Sequence, residues 1–165
     1  MEAALTYLYT LASLAVTFGS FAVIAVALRQ EIGGSLGKTH LFITRVFIEL
    51  AILVAVLSIL PGFLALIKLQ EEHLWRFASV IAAFLILIWS ISYPIRRHKA
   101  VRAGRFALVV WVNSGLNATA FCSLAVNIVS ISDASGAFYA AAPTIMMLRL
   151  WGNFLHNLDT FVRRK

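Results

Sequence analysis

At 165 residues the chain is 61% hydrophobic and only 13% charged, against roughly 45–50% and 25% in a typical soluble domain. One core of that size cannot hide so much apolar surface from water, which excludes an ordinary soluble globular protein. The net charge of +7 would suggest nucleic acid in a soluble chain. Here the basic residues follow the gaps between apolar runs instead of forming a patch with interleaved aromatics, so no nucleic-acid partner is expected.

A bilayer-spanning helix needs about 20 predominantly apolar residues. The first expected span covers 5–28, with no charge between Glu2 and Arg29. It is too long for a secretory signal and no basic residue precedes it. The linker at 29–44 carries Gly33, Gly34 and Gly37, which stop the helix. Its segment 33–39 ends in Gly-Lys-Thr, but its glycines sit one residue too close for a phosphate loop, and no strand precedes it. The second span is expected over 46–67, with a kink or local unwinding at Pro61-Gly62. The third covers 74–95 and stops at Tyr93-Pro94; the fourth covers 106–131.

Ser132, Asp133, Ala134, Ser135 and Gly136 read as a turn with helix-capping residues. A fifth span is expected over 137–158, with Pro143 inside and an amphipathic second half. At about 100° per residue, Leu148, Leu150, Trp151, Phe154, Leu155, Leu158, Phe161 and Val162 gather on one side. Arg149, Gly152, Asn153, His156, Asn157, Asp159 and Thr160 gather on the other. The expectation is a single all-α domain over 1–165, a polytopic transmembrane helix bundle of five spans. The alternative is four spans plus a C-terminal interfacial amphipathic helix.

Basic residues orient such a bundle, because basic loops stay in the cytoplasm. Arg29, Lys38 and Arg45 surround the first gap, and Arg96, Arg97, Lys99, Arg102 and Arg105 fill the third. Arg163, Arg164 and Lys165 close the chain. Lys68 and Arg76 flank the second gap beside Glu71 and Glu72, and the gap at Asp133 has no positive charge. The N-terminus is therefore expected outside and the C-terminus in the cytoplasm, since only a fifth crossing returns residues 163–165 to the basic side. Size and short loops point to a bacterial inner (plasma) membrane. No internal repeat supports an inverted-repeat transporter.

Polar groups inside spans mark packing or water entry. Thr6, Thr10, Ser13, Thr17 and Ser20 share one narrow face of the first span, suited to close helix packing. In the fourth span Asn113, Asn117 and Asn127 share a face with Ala120 and Leu124, with Ser123 and Ser130 beside it. These residues are expected to form helix interfaces, or else a polar path. Glu49, the one acid within an expected span, lies four residues after Arg45 and about one turn inside its helix, so an intramembrane Arg45–Glu49 pair is expected. Arg96, Arg97, Lys99, Arg102 and Arg105 are candidate contacts for lipid headgroups. Tyr7, Tyr9, Trp75, Tyr93, Trp151 and Phe154 read as interfacial anchors, Trp89 and Trp111 as deeper residues.

The single cysteine, Cys122, excludes an intrachain disulfide. His40, His73, His98 and His156 never pair at ligand spacing within spans, so neither metal nor haem is expected. Ser114-Gly115 has no intramembrane histidine as a base. No catalytic residues and no cofactor are expected. The sequence points to a non-catalytic integral membrane protein, a structural or interaction component that associates with itself or another membrane protein in the bilayer. The alternative is an oligomeric channel or transporter of an unspecified small solute along the fourth span.

Overall fold

The computed structural model describes residues 1–31, 38–100, 108–129 and 134–162. Among these the chain forms five helices and no strand: α1 Glu2–Glu31, α2 Lys38–Leu66, α3 Glu71–Ala100, α4 Leu108–Val129 and α5 Ser135–Val162. Four carry segments long and apolar enough to cross a membrane: Glu2–Leu28, Leu41–Leu66, His73–Arg97 and Trp111–Val129. The protein is an all-helical integral membrane bundle. Asp133 and residues 163–165, on which the orientation of the tail rests, lie outside the described residues.

Consecutive helices alternate in direction, and side-chain contacts mark the two ends. At one end the Met1 amine, beginning α1, lies 3.4 Å from the Glu71 carboxylate, beginning α3. Asn127, late in α4, donates to Ser79 Oγ, early in α3, at 2.8 Å. At the other end Arg96, late in α3, reaches Glu49, early in α2.

The fifth helix is a full member of the bundle. It packs against each of the other four. Gly136 in its first turn sits beside Ala4 and Trp75, and a methyl group there would lie 3.1 Å from the Trp75 ring. Asn153, seventeen residues on, meets Asn113 near the start of α4. At 1.5 Å per residue that separation is about 26 Å, close to the hydrocarbon thickness of a bilayer. Tyr139, Ala142, Met146 and Leu150 are fully buried along it. α5 thus packs into the bundle, although it is not among the four helices with segments long and apolar enough to cross a membrane.

The helices overrun the apolar runs at several ends. α1 and α2 take residues from both sides of the expected 29–44 linker, and α5 begins at Ser135, so Ser135 and Gly136 belong to its first turn. α3 does not stop at Tyr93-Pro94 but continues to Ala100. Proline forfeits only the bond to the carbonyl four residues back, a loss that membrane helices absorb. Beyond it, Arg96 Nε donates to the Ser92 carbonyl at 3.3 Å.

α2 likewise stays helical through Pro61, without the unwinding expected there. The Tyr139 hydroxyl of α5 donates to the Leu57 carbonyl at 2.6 Å. The neighbouring Gly62 leaves room for Tyr9, whose hydroxyl oxygen would sit 2.0 Å from an added Cβ. α2 ends where Lys68 takes φ 59°, the left-handed conformation that closes helices, with its N–H bonded to the Ala65 carbonyl at 3.0 Å.

The core is built from small and large apolar faces. Leu8, Leu11, Ala12, Ala15 and Ala22 form the buried face of α1. Gly19 lies among them, where a Cβ would come 3.0 Å from that of Ala51 on α2. Close approach through alanine and glycine is the usual way helices pack in lipid.

Candidate functional site

α5 carries a charge into the middle of the bundle. Arg149, on the polar side of α5, is 2% exposed. A charged side chain within a membrane helix turns away from lipid and into the bundle. Leu148, Trp151 and Leu155 accordingly point outward. The Arg149 guanidinium lies 4.4 Å from the centre of the Trp89 ring and 5.6 Å from that of Tyr93. Those rings are stacked on each other at 5.1 Å. Arg149 Nη1 donates to Asn117 Oδ1.

Two asparagines of α4 complete this cluster. Asn117 Nδ2 donates to Ser90 Oγ of α3 at 2.8 Å, and Asn113 Nδ2 donates to Asn153 Oδ1 of α5 at 3.2 Å. The amide of Asn117 thus bridges α3 and α5. Asn127, on the same face, joins α3 separately through Ser79, and Leu124 between them is fully buried. Ser123 bonds within α4, to the Ala120 carbonyl at 2.8 Å. Ser130 lies outside the described residues.

A second charged group occupies the same end of the bundle. Glu49 accepts from Arg45 Nε at 2.8 Å and from Arg96 Nη1 at 2.7 Å. It lies eight residues after Leu41, where the apolar segment of α2 begins. Arg96, expected among the headgroup contacts, turns inward to this carboxylate. Arg97 lies 3.5 Å from the Tyr93 hydroxyl, to which it donates. The Lys99 side chain, Arg102 and Arg105 lie outside the described residues.

Among the described residues the hydroxyl stripe of α1 does not join helices. Thr6, Thr10, Ser13, Thr17 and Ser20 are all exposed. Each donates to the carbonyl four residues earlier, at 2.8–3.1 Å. Among the expected interfacial anchors, Trp75 is a core residue, 2% exposed against the Tyr139 ring. Trp89 is buried as well, while Trp111 is 72% exposed. Phe154 is wedged among Phe18, Phe21 and Phe47.

Arg149, Trp89, Ser90 and Asn153 were not singled out as site residues by sequence. The available signal was a lone arginine between two leucines, in a helix whose opposite face is apolar enough for lipid. Chemically, the cluster offers hydrogen-bond donors and a fixed positive charge, with no nucleophile–base pair. Among the described residues no group of His, Cys, Asp and Glu could hold a metal ion. Compared with known protein families, curated proteins and solved structures, the chain matches none.

Proposed function

We propose that the protein is a non-catalytic structural or interaction component of a bacterial inner membrane, crossing it five times and associating with itself through α4. The N-terminus is outside, and the end bearing Arg45, Arg96 and Arg97 faces the cytoplasm, as basic residues favour.

The observation that carries this reading is the outward face of α4. Gly115, Ala118, Thr119, Cys122 and Ala125 all lie exposed on one side of that helix, opposite Asn113, Asn117, Leu124 and Asn127. A Cβ added at Gly115 would meet nothing within 4 Å, so nothing in the described chain requires glycine there. Small residues on a lipid-facing surface permit a second helix to approach closely. The asparagines, meanwhile, are engaged in bonds between helices, which favours packing over a conducting path.

Cys122 lies on this face and serves as a built-in probe. Oxidation of native membranes is expected to yield a Cys122–Cys122 cross-linked dimer. Gly115→Ile and Ala118→Ile should abolish it while leaving the monomer folded. A monomeric mass in mild detergent together with no cross-link in membranes would refute the reading.

A further inference from the structure

Arg149 lacks the partner its charge requires. A guanidinium stays protonated in proteins, and an ionised side chain deep in a membrane helix is costly unless compensated. Among the described residues no carboxylate is bonded to Arg149, and Glu49 is already held by Arg45 and Arg96. The two aromatic rings contribute cation–π attraction and Asn117 accepts from Nη1, but neither supplies negative charge.

What remains is a set of donors without acceptors. Arg149 Nε is fully buried with no hydrogen-bond partner. So is the indole N–H of Trp89, on the ring that the guanidinium covers. A buried N–H left unpaired is costly, and here two occur beside one uncompensated charge. A water molecule would satisfy a donor and leave the charge; an anion does both.

We propose that Arg149 and Trp89 form a binding site for a small monovalent anion of chloride size, between α3, α4 and α5. The aromatic rings and Asn117 already occupy much of the guanidinium's surroundings, which favours a single spherical ion over a larger oxyanion. The basic end of the bundle, with Arg45, Arg96 and Arg97, raises the local concentration of anions near it. The site is independent of self-association through α4, whose interacting face lies on the opposite side of that helix.

The test uses the full chain, purified in detergent, with chloride exchanged for gluconate at constant ionic strength. At chloride concentrations about a hundredfold above Kd, Tm is expected to rise by about 5–10 °C and then saturate. Radioactive chloride should bind saturably to the wild type. Trp89→Phe should weaken that binding, and Arg149→Met should abolish both the binding and the chloride dependence of Tm. Equal Tm in chloride and gluconate, with no saturable chloride binding to the wild type, would overturn the proposal and leave water as the occupant. Because both wild-type measurements stand alone, misfolding of Arg149→Met would not rescue it.

Discussion

The Tyr139 hydroxyl completes the hydrogen bonding of a carbonyl that proline has stripped: it donates at 2.6 Å to Leu57, four residues before Pro61. In water that oxygen would find solvent, but inside a membrane bundle it must be satisfied by protein. One bond therefore ties the sequence of α2 to the placement of α5. Tyr139→Phe is expected to destabilise the fold by about 1–3 kcal/mol, the cost of a buried acceptor left unpaired. In a Pro61→Ala background, where residue 61 regains its N–H, the same change should cost less. A double-mutant cycle on unfolding in detergent measures the difference.

The ion triad at the basic end makes a graded prediction. The Arg45 side chain is 71% exposed, whereas those of Arg96 and Glu49 are 28% and 26% exposed. Arg45→Ala should cost at most about 0.5–1 kcal/mol, the range of a solvated pair. Arg96→Ala should cost more, about 1.5–3 kcal/mol, because it removes charged hydrogen bonds in a partly buried setting. Thermal unfolding of the two variants side by side checks the order; equal losses would mean that burial does not govern this cluster.

Lys68 holds a conformation that glycine adopts with less strain. At φ 59° its Cβ crowds the backbone, a cost of roughly 1–2 kcal/mol for a left-handed residue. Lys68→Gly should therefore raise stability, less the extra freedom glycine gives the unfolded chain. An increase in Tm is the expected readout.

Replacing Thr10, Ser13 and Thr17 together by Val, Ala and Val should leave the monomer folded, with each change within about 0.5 kcal/mol. Among the described residues their hydroxyls bond along their own helix and to no other. The measurement is a melting curve. A large loss would mean that these side chains hold the bundle after all.

The helices were legible in the sequence because uninterrupted apolar length is a strong signal in a membrane protein. Their ends were less so: α3 runs past Pro94 and α2 past Pro61, since proline removes one bond without stopping a helix whose neighbours compensate. The asparagine face of α4 could be read from its spacing, and so could the proximity of Arg45 to Glu49. Arg96 could not be assigned to Glu49, because 47 residues separate them and only the folded bundle brings them together. The burial of Arg149 could not be read from its helix face alone. Helical periodicity identifies two faces, but the surrounding medium decides which one turns inward.

That inward arginine belongs to the helix that follows the other four in the chain yet touches all of them. Vectorial synthesis delivers α5 last of the five, so α1 to α4 enter the membrane with Asn113, Asn117 and the Leu57 carbonyl still awaiting their partners on α5. Closure of the bundle is thus coupled to arrival of α5, which brings the tyrosine that caps the proline break and the charge that draws α3 and α4 together. The order of translation becomes the order of assembly, with the Arg149 and Tyr139 contacts made at its final step.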